Sequence, residues 1–254
     1  MSILRLWPRL LLLLPLPWVG SNACADGVPQ ECTQLIVGIA PTWDSLRGDL
    51  RFFERQKGGD WNSVAGPFHV LFGKNGVAWG NGLAGANEPG LQKKERDGRA
   101  PAGVFKIGTI YTYDAQLPSG ADYPFHQVTT SDAWIDDVTS ANYNRFVTIN
   151  DPAHPPPWFE KQKMRHNDFA YRWLVEIRHN SDPPLPGHGS AIFFHIRRGV
   201  NRPTTGCTTM AEGDLVKLVT WLRAPRSPCY ALLPASEYKK KWKLWNLPPA
   251  AVFE

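Results

Sequence analysis

Apolar and polar residues alternate in short runs along most of this chain, and few runs outlast a single strand. Strands are predicted at 34–39, 50–54, 68–72, 104–113, 145–149, 173–177, 191–195 and 230–233, each rich in β-branched and aromatic residues and bounded by turn formers. A turn over 44–48 joins the first two. The period changes once with clarity, over 211–222. There Leu215, Leu218, Val219 and Leu222 recur at i, i+3, i+4 and i+7, the spacing of one apolar helix face. Thr209 and Glu212 have capping-box spacing, and Glu212 with Asp214 suits the positive end of a first turn. A shorter helix is predicted over 158–165. The expected fold is mainly β, with one helix after the functional loop described below.

Composition supports a globular chain and adds an export signal. A 43% hydrophobic content with 20% mixed-sign charge fits one folded domain over 26–254 and excludes a disordered chain, and 23 prolines and 22 glycines fit a turn-rich fold. Residues 1–25 read as a signal peptide. Arg5 and Arg9 precede an apolar run over 10–19, and Ala23-Cys24-Ala25 offers small residues for cleavage. The run is too short to span a bilayer, so no transmembrane span is expected in the mature chain. Ser21 stands where a lipoprotein signal would carry a leucine-like residue, which argues against Cys24 as a lipid anchor. Cleavage removes two arginines and no acid, leaving +3 of the formal +5. That balance tolerates an anionic partner such as a cell wall but is no nucleic-acid footprint.

Three cysteines remain after cleavage. Cys32 opens the first predicted strand and Cys229 precedes the last. Two readings stand for them: a disulfide between neighbouring terminal strands, or two small buried side chains. The first leaves Cys207 as a lone free thiol.

Cys207 carries the chemistry. His195 ends an apolar, strand-forming run, and Cys207 follows twelve residues later in Pro203-Thr204-Thr205-Gly206-Cys207, just before the predicted helix. A thiol at a helix mouth beside an imidazole makes a nucleophile, and the N–H groups of Thr205, Gly206 and Cys207 can converge on an oxyanion. Such a set suits acyl transfer through a thioester. A buried core histidine with a structural cysteine is the plainer alternative. One Cys and one His cannot fill a zinc site, so neither metal nor cofactor is expected. Arg197 and Arg198 can hold a substrate carboxylate or simply be solvated. Tyr143, Asn144 and Arg145 can line a groove or form a turn into a strand. His188 has a structural reading, Asp97-Gly98 suits a turn brace, and His126, His154 and His166 have no special context. The segment from Lys239 to Trp245 interleaves lysines with tryptophans, which either touch a wall or lipid surface or pack back on the body.

The stretch from Gly189 to Leu222 resembles the catalytic motif of the L,D-transpeptidase (YkuD-type) family, in which a strand-end His is followed by Ser/Thr-x-Gly-Cys. Lys93, Glu95, Asp97-Gly98 and Pro101-Ala102-Gly103-Val104-Phe105 resemble its upstream run, and Trp134 to Asp137 and Tyr143 to Arg145 fit the same branch. The resemblance covers about residues 33–235. It implies a sandwich of mixed β-sheets and an exported enzyme acting on peptidoglycan stem peptides. In it Cys207 is the nucleophile, His195 the base, Thr205 and Gly206 the oxyanion turn, and Thr204 holds the Ser/Thr position. The chain departs from the pattern twice: Thr205 stands where many members have a second histidine, and the His195–Cys207 loop is short. Hydrolysis of the thioester (an L,D-carboxypeptidase or amidase activity) and non-enzymatic wall binding remain as alternatives.

Overall fold

The computed structural model describes residues 27–253. The expected signal peptide and Cys24 lie outside them. Twelve strands form: β1 Gln34–Ala40, β2 Arg47–Glu54, β3 Asn62–Leu71, β4 Val77–Trp79, β5 Ala100–Thr112, β6 Phe125–Gln127, β7 Asp132–Trp134, β8 Phe146–Thr148, β9 Trp173–Ile177, β10 Phe193–Ile196, β11 Thr208–Met210 and β12 Cys229–Pro234. The helices are α1 Phe159–Gln162, α2 Glu212–Trp221 and α3 Ala235–Lys241.

The fold is mainly β, as expected, but the pairing closes where two stacked sheets were expected. The path β12-β1-β2-β3-β11-β10-β9-β5 returns to its start because β5 also pairs with β12, so one mixed sheet forms a barrel. Closure leaves this ring no open edge. β4 and β6 attach to β5, and β7 and β8 form a separate two-stranded sheet. The interior is apolar. Leu35, Ile36 and Val37 of β1, Val104 and Phe105 of β5, and Tyr230 to Leu233 of β12 are all sealed from solvent. Near-continuous apolar runs such as Leu35-Ile36-Val37 are what strands covered on both faces require.

Four short or irregular strands (β4, β6, β7 and β11) were not legible as runs, being only three residues long. The helix at 211–222 forms as α2, with Leu215, Leu218, Val219 and Leu222 fully buried. Its expected capping box does not. Ala211 is the N-cap without a side-chain bond, because Thr209 lies within β11 and points its hydroxyl at Leu71 O (3.5 Å). The helix at 158–165 contracts to the single turn α1. In the basic tail, Trp245 is buried against Trp79 and Lys241 lies over both rings while pairing with Glu88 (2.6 Å). The tail therefore packs back on the body. Among the described residues no helix is long and apolar enough to cross a membrane.

Candidate active site

The site is built where two parallel strands meet. β10 and β11 pair with Phe194 opposite Thr208 and His195 opposite Thr209, and Cys207, one residue before β11, continues that register toward Phe193. Paired residues share a face and alternate residues return to it, so His195 and Cys207 project from the same side, one diagonal step apart. The sequence produces this through a tight loop. Thr204 ties it to the chain after β3, with its N–H on Phe72 O (2.9 Å) and its carbonyl taking the Lys74 N–H (2.7 Å). Its hydroxyl accepts the Gly206 N–H (3.0 Å) and donates to the Cys207 carbonyl (2.6 Å). A Cβ on Gly206 would lie 3.2 Å from Ile192 and 3.3 Å from the Arg99 carbonyl, so the turn has little room for any side chain.

Two expectations are corrected here. Cys207 does not stand at a helix mouth, because β11 intervenes before α2, and the helix dipole acts through its first turn only. The Gly206 N–H is also spent on Thr204 within the turn, which leaves Thr205 and Cys207 as the backbone candidates for an oxyanion.

The thiol and the imidazole are both neutral at rest. Burial pushes the Cys207 pKa up to about 11, against the Phe193 N–H on its sulfur and the charges of Lys93 and Arg198. Burial likewise draws His195 down to about 4, opposed by the Ile196 carbonyl and by the charge of Asp168. His195 Nδ1 meets Ile196 O at 2.9 Å, so Nδ1 carries the proton and Nε2 is the basic nitrogen. The Tyr171 ring stands edge-on to the imidazole at 5.2 Å. Arg198 supports that ring, lying 4.6 Å over it while its Nε and Nη2 grip Asp168 at 3.0 and 2.5 Å. The Cys207 thiol donates to Ala191 O (3.5 Å), and among the described residues no hydrogen bond joins it to His195.

Cys207 opens into a cavity of about 470 Å³; His195, buried behind it, does not line it. Trp134, Phe193, Met164 and Leu174 make an apolar wall. Lys74, Arg96, Lys161 and Lys163 bring positive charge to the cavity, and Glu95 and Asp136 face them with negative charge. Burial raises the Asp136 pKa despite Arg96 nearby. His166, without context in the sequence, reaches the rim beside Tyr171.

The remaining expected residues separate. Thr205 lines the cavity. Arg198 is committed to Asp168, and Arg197 gives its N–H to Met210 O (2.9 Å). Tyr143 and Asn144 are buried and support the site from behind rather than lining it. Tyr143 donates a short hydrogen bond to Glu95, which also accepts from Ser190 (2.8 Å). Arg145 is exposed and away from the cavity. Cys32 and Cys229 are free, buried thiols that line one small cavity, Cys32 donating to Gln34 O (3.2 Å) and Cys229 to Ser227 O (3.7 Å), so the strands meet as expected without being joined. His188 serves structurally, its carbonyl accepting from His179 Nε2 (2.9 Å). Asp97 braces its turn through the Lys94 and Arg99 N–H groups. No cluster suited to a metal ion occurs among the described residues. Lys161, Gln162 and Lys163 were missed because only the single-turn α1 brings them to the cavity.

Compared with models of protein families, with curated proteins and with solved structures, the chain gives no match.

Proposed function

We propose that this chain is an exported L,D-transpeptidase that acts on peptidoglycan stem peptides in the periplasm through a Cys207 thioester. The observation that carries the reading is a thiol opening on a large charged cavity, with a neutral imidazole on the same face of the adjacent strand. The order of motifs around it, from Lys93 to Cys207, follows that of the family it resembles. In this reading the barrel is the family's sandwich with its seams paired.

The resting site disfavours a preformed thiolate–imidazolium pair, so proton transfer accompanies attack. The Cys207 sulfur adds to the peptide carbonyl as its proton passes to His195. The Nδ1–H stays on the Ile196 carbonyl throughout, and Nε2 carries the proton taken from the thiol. The tetrahedral oxyanion draws on the Thr205 and Cys207 N–H groups. Its collapse breaks the C–N bond, and the leaving amine takes the His195 proton. An acceptor amine attacks the thioester, returns its proton through His195, and releases the thiol. Basic residues of the cavity suit the stem's carboxylates, and Glu95 with Asp136 suits an amine.

The test is intact-mass spectrometry of the mature protein incubated with purified disaccharide-tetrapeptide, with products analysed in parallel. The expected result is an adduct on Cys207 together with cross-linked dimers. An adduct with trimmed monomers alone assigns hydrolysis instead. Neither adduct nor product removes this donor and leaves wall binding as the reading.

A further inference from the structure

Beneath the Thr205–Gly206–Cys207 turn lies a charged side chain that the catalytic scheme does not use. Lys93 is buried, its side chain only 3% exposed, and it lines the same cavity as Cys207. Its stem runs between two glycines: a Cβ on Gly189 would lie 3.1 Å from Lys93 Cγ and Cε, and one on Gly206 would lie 3.9 Å from Cε. The ammonium donates to Lys94 O (2.7 Å) and Asp97 Oδ1 (2.6 Å), and its third N–H has no partner among the described residues. Burying an ammonium is costly even when paired, and an apolar chain of that length would fill the space without the penalty. Asp97 does not fully cancel the charge, because its carboxylate is shared with the backbone N–H groups of Lys94 (2.8 Å) and Arg99 (2.9 Å).

We propose that Lys93 is the site's fixed cation, a positioning residue that stabilises negative charge on the Cys207 sulfur as it forms, with Asp97 setting how much of its charge reaches the thiol. The direction of its influence agrees: Lys93 favours the charged thiolate at Cys207 and disfavours a second charge on the neighbouring His179. Arg198 is the other cation acting on the thiol, and it is held by Asp168. His195 faces the thiol from β10, and Glu95, Arg96, Asp136 and His166 lie around the cavity. Lys74, Lys161, Lys163 and Tyr171 complete the ionisable groups there.

The inference rests on Cys207 being the reactive thiol of the proposed function. Its test reads that thiol without any wall substrate, so the two ideas fail separately. The rate of Cys207 alkylation by iodoacetamide is followed against pH by peptide mapping, in the wild type, Lys93→Met and Asp97→Asn. Lys93→Met is expected to slow alkylation at pH 8 about tenfold and move the profile to higher pH, while Asp97→Asn speeds it several-fold. A purely structural role gives no such opposition of sign. A folded Lys93→Met variant alkylated within about twofold of wild type overturns the proposal. So does an Asp97→Asn variant that is unchanged or slower, and this second arm decides the matter if Lys93→Met does not fold.

Discussion

Asn144 Oδ1 accepts the backbone N–H of Ala191 at 3.0 Å, and so fixes the carbonyl against which the Cys207 thiol rests. Ala191 has φ of 55°, a left-handed conformation that costs a non-glycine residue roughly 1–2 kcal/mol. The tether holds it there. Every hydrogen-bonding position of the Asn144 amide is filled: Oδ1 also accepts from Trp134 (3.0 Å), and Nδ2 donates to the carbonyls of His179 (3.0 Å) and Asn180 (2.7 Å).

Asn144→Gly separates side chain from backbone, because glycine accepts the φ of 54° that this position adopts. Loss of the amide strands two donors, the buried Trp134 Nε1 and the partly buried Ala191 N, and is expected to cost about 3 kcal/mol by denaturant unfolding. Ala191→Gly is expected to stabilise by up to about 1 kcal/mol, since it relieves the left-handed strain and keeps the tether. If Asn144→Gly unfolds at the wild-type midpoint, the tether is not what holds the loop.

Stability should fall toward both ends of the pH scale for reasons that lie in the site. His195 is drawn from 6.5 to about 4 and His179 to about 3, in both cases chiefly by burial. Below pH 6.5 the unfolded chain binds protons that the native histidines refuse, so stability drops with pH by about 1 kcal/mol per unit for each. Cys207 acts in the opposite sense. Its pKa is raised from 9 to about 11, so above pH 9 the unfolded thiol ionises while the native one does not, and stability falls again. Urea unfolding from pH 7 to 4.5 is expected to show a steeper loss in the wild type than in His195→Gln, and equal slopes would remove His195 from this account.

How much of this was legible in the sequence differs by element. The β12, β1 and β10 runs were visible because strands inside a closed barrel are apolar throughout, and α2 because its 3.6 period is carried by four buried residues. The His195–Cys207 pair was visible from its strand and turn residues. Strand β11 was not, since Thr208-Thr209-Met210 is too short to carry a pattern and forms only by pairing with β10 and β3. That one miss misplaced the helix relative to the nucleophile. The supporting roles of Tyr143 and Asn144 were equally out of reach, because their partners Glu95 and Ala191 lie about fifty positions away and meet them only in the fold.

Activity should separate the two principal residues by degree. Cys207→Ala removes the atom that forms the thioester and is expected to abolish turnover while leaving the fold intact. His195→Ala is expected to lose roughly 10²–10⁴-fold in kcat/KM, the usual worth of general-base help. It should also open space beside Tyr171, whose ring contact is with this imidazole. A His195→Ala rate within a few-fold of wild type, measured by release of the terminal residue from a tetrapeptide donor, would assign the proton transfer to another group.

Oxidation of Cys32 and Cys229 should lock the seam of the barrel. The two thiols line one small cavity where the start of β12 meets the approach to β1, with Cys229 in register with Leu35. A disulfide oxidant such as oxidised glutathione would take the two hydrogens and join the sulfurs, while Cys207 has no cysteine beside it among the described residues and stays a thiol. Closing a loop that spans most of the chain is expected to raise stability by about 2–4 kcal/mol. Thiol titration of the unfolded mature protein should then find Cys207 alone after oxidation and all three cysteines after reduction, and Cys32→Ala should be insensitive to reductant. Equal thermal midpoints for the oxidised and reduced wild type, with the bond shown by mass to have formed, would mean that the β1–β12 pairing already holds the seam without it.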